Sequence, residues 1–158
     1  MIYYQAHELE DAICESLSTD ADFLSFCTAL INEECKVIGG EDPQSAEPED
    51  DYPCIVVNVK RQTGDEAKDN AIDRSIEVSV LLNVSAERVS VGNYFKYADT
   101  PKAEKIASEI YKLIADKYCG DVPPYYYEKD VSLITQGYLR GSLEMVSSVP
   151  TYLGGQTW

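Results

Sequence analysis

The sequence predicts an α+β fold, in which a mostly antiparallel sheet of about four to five strands carries its helices on one face. Two patterns support this prediction. Apolar residues recur at helical spacing in the N-terminal third of the chain and again within residues 103–114. Elsewhere they alternate or run continuously in short segments rich in β-branched residues, as is typical of strands. The simplest packing of these elements places the helices over the apolar face of the sheet.

The N-terminal third is predicted to form one kinked helix or two short helices. His7–Leu17 carries apolar residues at the spacing of one helical face. A Ser-Thr-Asp run breaks this pattern, and Asp20 or Asp22 can cap the helical segment that continues to Ile31. A short strand is then expected at Cys35–Ile38, before a Gly-Gly turn.

An acidic segment follows, and it is predicted to be a loose, extended loop over residues 41–52. Six of the eleven residues from Glu41 to Asp51 are acids, two are prolines, and none is basic. Like charges and prolines keep such a loop extended. A charged loop beside a well-patterned sheet favours a contact surface over a catalytic one. The residues expected to make contacts are Glu47, Glu49, Asp50 and Asp51.

Two strands, Cys54–Lys60 and Ile76–Val84, are predicted to pair beyond this loop. The polar hairpin tip between them is more basic than the acidic loop, and its expected contact residues are Arg61, Lys68 and Arg74. In a ring, the acidic loop of one subunit could meet the basic tip of its neighbour. Surface ion pairs contribute only about 0–1 kcal/mol each, so they would steer the subunits more than hold them together.

The C-terminal half is predicted to contain the clearest helix and two last strands. A polar connection, Ala86–Asp99, leads to this helix, and Thr100 is its expected N-cap. The strands are predicted at Val131–Leu139 and Ser142–Val149, with a hairpin or bulge at Gly141 between them.

Length and charge restrict the possible functions. A chain of 158 residues is predicted to be one domain, residues 1–158, with a C-terminal extension at residues 150–158. Its formal net charge of −15 argues against binding to nucleic acid or anionic membranes, which need a basic surface. The same charge favours solubility and a basic protein partner. No run is long enough for a membrane span, and no signal peptide is expected.

The sequence contains no recognisable catalytic pattern. Its single histidine, His7, lies beside acids, and no nucleophile motif accompanies it. The cysteines lack the spacing of a metal site and are expected to be small buried residues. They are Cys14, Cys27, Cys35, Cys54 and Cys119. We therefore expect no enzyme activity, no catalytic residue, no cofactor and no metal.

Three segments together resemble the tail-terminator or tail-completion proteins of long-tailed bacteriophages and prophages: the acidic loop entering YPCIVVNV, the strand IEVSVLLNV, and the helix TPKAEKIASEIYKLIADKY. The resemblance covers most of residues 7–149 and includes the A-x-x-I-A-x-x-I-x-x-L pattern of the helix. It implies a small α/β protein that forms a homo-oligomeric ring, often a hexamer, capping the finished tail tube and joining it to the head. The implied partners are further copies of the chain, tail-tube proteins and head-completion proteins. The implied locations are the host bacterial cytoplasm during assembly and then the virion.

A second hypothesis needs no ring. The chain could be a monomeric acidic binding module that uses its negative face on a basic protein partner. This hypothesis predicts a monomer whose binding weakens steeply with salt.

Overall fold

A computed structural model describes residues 5–40, 42–61, 71–119 and 125–152. Within these ranges, three long helices cover one face of a five-stranded sheet, and a short fourth helix lies near its other face. The helices are α1 (Ala6–Thr19), α2 (Ala21–Ile31), α3 (Pro48–Asp51) and α4 (Thr100–Tyr118). The strands are β1 (Lys36–Gly39), β2 (Cys54–Arg61), β3 (Ala71–Asn83), β4 (Arg88–Val91), β5 (Tyr94–Tyr97), β6 (Tyr125–Asp130) and β7 (Tyr138–Tyr152).

The large sheet has the strand order β1-β2-β3-β7-β6. Its β1–β2 pair is parallel and its other pairs are antiparallel. The remaining strands, β4 and β5, form a separate two-stranded sheet. The predicted α+β class, with a mostly antiparallel sheet and helices packed on one face, is confirmed.

The main core lies between the helices and alternate residues of the central strands. β3 contributes a row of fully buried side chains, because successive residues of a strand point to opposite faces of the sheet. This row is Ile76, Val78, Val80 and Leu82. α4 packs against it through its predicted apolar stripe, which includes Ile106, Ile110 and Ile114, each 0% exposed. Burial of one such side chain contributes about 1.5–3 kcal/mol relative to leaving it in water.

The ends of the helices are fixed by specific hydrogen bonds. Asp20 caps α2, since its Oδ1 accepts from the backbone amide of Phe23 at 2.8 Å. This cap separates α1 from α2, so the N-terminal third forms two helices. At the end of α4, the Tyr118 hydroxyl donates to the carbonyl oxygen of Ala12 at 3.0 Å. The Ser147 hydroxyl donates to the Tyr118 carbonyl at 2.7 Å, which joins α4 to β7.

The predicted extended loop is wrong for residues 42–52. Because β1 and β2 are parallel neighbours, the chain must cross back along the sheet between them. It does so in a 3₁₀ turn at Pro43–Ser45 and in α3. Ala46 is buried with Cys54, Val56 and Leu81 in a second apolar cluster on the sheet face opposite the long helices. We call residues 42–53 the acidic crossover.

Three further features differ from the predictions. The predicted strand Val131–Leu139 is wrong: β6 ends before it at Asp130, and a 3₁₀ turn occupies Ile134–Gln136. Ser132 donates its backbone amide to the Asp130 side chain at 2.9 Å, which starts this turn. Gly141 marks no hairpin, because β7 runs through it without interruption. The polar connection Ala86–Asp99 contains β4 and β5 rather than an irregular loop.

Gly141 is a point of close packing between the sheet and α4. A Cβ atom at this position would lie 3.0 Å from the Cβ atom of Ala103 and would overlap the Tyr127 hydroxyl. We predict that Gly141→Ala lowers the free energy of unfolding by about 1–3 kcal/mol through overpacking, measured by urea denaturation. Adding Tyr127→Phe should recover part of this loss, because it removes the overlapping oxygen.

The matched control is Ser142→Ala, at the next residue and on the opposite face of β7. It removes a weak contact with the Ser79 hydroxyl at 3.3 Å and should cost less than about 1 kcal/mol. Equal losses for Gly141→Ala and Ser142→Ala would contradict the assigned packing.

Candidate functional site

Among the described residues, the β4–β5 hairpin is the most exposed pair of strands. We call residues 88–97 the hairpin arm. Gly92 has φ of +57°, and Asn93 after it does not share this positive φ, which is the pattern of a type II′ turn. Among the described residues, β4 pairs with β5 alone and neither strand joins the large sheet. The arm therefore stands apart from the core.

The hairpin arm carries large apolar side chains in water. Phe95 is 70% exposed, Tyr94 is 58% exposed and Val89 is 40% exposed. Phe95 lies opposite Ser90, whereas Tyr94 lies opposite Val91, so the two faces of the ribbon each carry an aromatic ring. A two-stranded hairpin is marginally stable alone in water, and clustered exposed apolar residues mark interaction sites. The arm has the properties of a surface that is completed by a partner.

Asp99 closes the base of the hairpin arm. Its Oδ2 accepts from the backbone amide of Ser85 at 2.7 Å, and its Oδ1 lies 2.9 Å from the Lys102 ammonium. Burial by itself would raise the pKa of Asp99, but the bonds from Ser85 and Lys102 outweigh it and lower this pKa. Since Ser85 precedes β4 and Asp99 follows β5, one carboxylate holds both ends of the arm together.

The second exposed feature is the edge strand β6. It pairs with β7 on one side, and no described strand pairs with its other side. Tyr125 and Tyr126 are 52% and 63% exposed. The Tyr125 ring contacts Tyr111 of α4 at a centroid distance of 4.5 Å. A free edge with aromatic side chains presents unpaired backbone groups to another chain.

The sheet face opposite the long helices carries an open polar groove of about 550 Å³ beside the acidic crossover. Its central charges are paired within the chain. Lys60 contacts Glu77 at 2.9 Å, and Arg140 contacts Asp130 at 2.9 Å. The hydrogen bond to Glu77 raises the pKa of Lys60. Bonds from Ser132 and the nearby Arg140 lower the pKa of Asp130. The two ion pairs therefore stabilise the charged forms of Lys60 and Asp130, and neither pKa is moved toward neutral pH.

The predicted acidic contact residues lie in and beside α3. Glu47, Glu49 and Asp50 are exposed, whereas Asp51 is half-buried and its Oδ2 accepts from the Glu47 amide at 2.8 Å. The Lys36 ammonium donates to the Asp50 carbonyl at 3.1 Å and fixes the segment to β1. The acids are thus held on a folded crossover, not on a loose loop.

Within one chain, the strand positions of Arg61 and Arg74 lie at the far end of the sheet from these acids. Arg61 ends β2, whose first residue follows the acidic crossover, so the two ends lie about 23 Å apart. Arg74 pairs with Arg61 in the backbone register but is only 5% exposed, on the helix-facing side of β3. Its expected place on an exposed basic tip is therefore wrong, because β3 extends further toward that tip than the sequence indicated. Lys68 lies outside the described residues.

The described residues show no reactive group that the sequence missed. Burial raises the pKa of the Cys14, Cys27 and Cys119 thiols to about 11, and that of Cys35 to about 12. These thiols are neutral near pH 7 and are poor nucleophiles. In the ranges that the structure covers, no cluster of His, Cys, Asp or Glu could hold a metal, and no helix has the length and apolar character of a membrane span.

Sequence reasoning missed the hairpin arm, although a signal was present. The segments RVSV and YFKY flank a Gly-Asn pair, which is a type II′ hairpin pattern. The polar residues around this segment made it look like a loop. β6 was not predicted either, because its three tyrosines follow two prolines, and prolines favour turns over strands.

We predict that Asp99→Ala loosens the hairpin arm without unfolding the core. Loss of its hydrogen bond and ion pair should speed amide hydrogen exchange of residues 88–97 about fivefold at pH 7, equivalent to about 1 kcal/mol. The stabilising effect of Asp99 in the parent should be complete above the pKa of an unfolded aspartate, about 3.9, and disappear as pH falls through the lower folded pKa.

The matched control is Asp116→Ala, which removes an exposed carboxylate on α4. It should leave exchange of the arm unchanged. If both variants speed exchange of the arm equally, Asp99 does not hold its base.

Comparison with models of protein families finds no match to this chain. Comparison with curated proteins finds no match either.

Proposed function

We propose that this chain is a structural assembly protein of a phage or prophage tail, which binds further copies of itself in a ring that terminates the tail tube and joins it to the head. The observation that carries self-assembly is the hairpin arm, whose Tyr94 and Phe95 are exposed by 58% and 70%. The assignment to a phage tail rests in addition on the resemblance of the acidic loop, the strands and the helix to tail-terminator proteins.

A ring needs two different surfaces on each subunit, because contacts in a ring run head to tail. The chain carries exposed aromatic residues on two separate elements, the hairpin arm and the edge strand β6. Aromatic residues supply much of the binding energy at protein interfaces. These surfaces support binding between chains, whereas the raised thiol pKa values and the paired charges of the polar groove offer no support for turnover.

The acidic crossover keeps the second hypothesis open. Glu47, Glu49 and Asp50 are exposed on one folded segment of a chain whose net charge is −15. Such a face favours a basic protein partner. The two hypotheses predict opposite effects of salt. Salt weakens binding that depends on opposite charges, but it screens the self-repulsion of acidic subunits that meet through apolar contacts.

The first test is absolute mass by light scattering after size exclusion, across protein concentration and salt. We expect the parent to form a discrete species, near six chains, that becomes more populated as salt rises. Tyr94→Ser combined with Phe95→Ser should shift the protein toward monomer at equal concentration, because it removes the apolar contacts of the arm.

Val146→Ser is the matched control, since Val146 is 39% exposed and pairs with Ser75, eight residues before the end of β3 that leads to the arm. It should assemble like the parent. A parent that stays monomeric at every concentration and salt tested contradicts self-assembly, and salt-sensitive binding of a basic protein by that monomer favours the acidic binding module. Assembly that survives both arm substitutions contradicts the role of the arm.

The tail assignment has its own test. We expect gold-labelled protein to bind one end of purified phage tail tubes in electron micrographs, because a terminating ring must recognise the end of the tube. The double arm variant should bind those ends less often. Binding along the sides of the tubes, or none at all, would count against this assignment while leaving self-assembly intact.

A further inference from the structure

We propose that the hairpin arm of one chain adds to the free edge of β6 in a second copy, so that the five-stranded sheet of each subunit is extended by its neighbour. This inference rests on the proposed function, and it names the two surfaces that meet. In the single chain, β4 pairs with β5 and β6 pairs with β7, and no described residue joins the arm to that edge. Within the described ranges, both surfaces are therefore open to another copy.

Backbone hydrogen bonding supports this pairing. A strand with one neighbour directs half of its backbone N–H and C=O groups away from that neighbour, and those groups can pair with an added strand. β6 has six residues, and each strand of the arm has four. The arm therefore fits within the length of the edge, where either of its strands would span about 13 Å.

The side chains of the two surfaces match in chemistry. The arm presents Val89, Tyr94 and Phe95, and the edge presents Tyr125 and Tyr126, all at least 40% exposed. Aromatic and β-branched side chains on neighbouring strands stabilise each other across a sheet. Pairing would also cover these side chains on both chains, whereas the isolated chain leaves them exposed to water.

Charge favours the edge of β6 over a second arm as the partner. The arm carries Arg88 and Lys96 and no acid, in a chain whose net charge is −15. Two arms that paired with each other would bring four positive charges together. β6 instead carries two acids, Glu128 and Asp130, and one base, Lys129, so its net charge is −1 against +2 on the arm; Glu128 and Lys129 are exposed and Asp130 is half-buried. A basic arm on an acidic edge also suits a head-to-tail contact, because each chain then donates one surface and accepts with the other.

The test places a photo-cross-linking amino acid, p-benzoylphenylalanine, at position 95 of the full chain. This protein is mixed with ¹⁵N-labelled chains under the conditions in which the parent assembles. Mass spectrometry then identifies cross-linked peptides, and mixed isotope pairs mark contacts between different chains. We expect mixed pairs that join position 95 to residues 125–130. The same amino acid at position 25, exposed on α2, is the control and should give no such pairs.

Charge reversal at the edge gives an independent check. Glu128→Lys makes the edge basic and should lower the yield of the mixed pairs by roughly threefold, within the range measured for exposed ion pairs. Glu15→Lys makes the same change in net charge on exposed α1, so it should leave the yield unchanged or raise it by reducing self-repulsion.

The outcomes separate this inference from the proposed function. Mixed pairs at residues 125–130 that fall with Glu128→Lys and not with Glu15→Lys support the pairing. If the parent assembles but position 95 links to other segments, the pairing is overturned and self-assembly stands. If the parent never assembles, light scattering shows this directly and both proposals fail.

Discussion

The packing of α4 across the apolar face of β3 is the contact on which the rest of the structure depends. It places the long helices on one side of the sheet and buries the row from Ile76 to Leu82. The opposite face carries polar residues and the second apolar cluster, to which the acidic crossover contributes Ala46. Because β3 and α4 both belong to this contact, the segment between them begins and ends at the edge of the core. The hairpin arm lies within this segment, and its position outside the core follows from the packing.

This arrangement separates stability from binding. The buried side chains of the main core belong to α1, α2, α4, β2, β3 and β7, with Cys35 and Cys119 beside them, and none belongs to the hairpin arm. The arm depends on its own turn at Gly92 and on the Asp99 carboxylate at its base. A chain built in this way can expose Tyr94 and Phe95 without losing its core. Interfaces commonly draw most of their energy from a few such aromatic residues.

The strong negative charge is compatible with an exposed apolar arm. Identical chains of net charge −15 repel each other, which opposes indiscriminate association of their apolar surfaces. Only a contact with good geometry can overcome that repulsion. The basic residues Arg88 and Lys96 lie on the arm itself, so they lower the repulsion at one place. The acids of the crossover contribute to the net negative charge that opposes indiscriminate association, whether or not they also bind a partner.

Local sequence determined the helices, the central strands and the α+β class. The Asp20 cap, the apolar stripe of α4 and the alternation in β3 depend on neighbouring residues alone. Tertiary structure decided the burial of Arg74, the fold of the acidic crossover and the extent of β6 and β7. Each depends on which strand lies beside another: the parallel β1–β2 pair requires a crossover, and β7 continues through Gly141 because β3 and β6 pair with it on both sides. These pairings join residues far apart in the chain, and no local pattern specifies them.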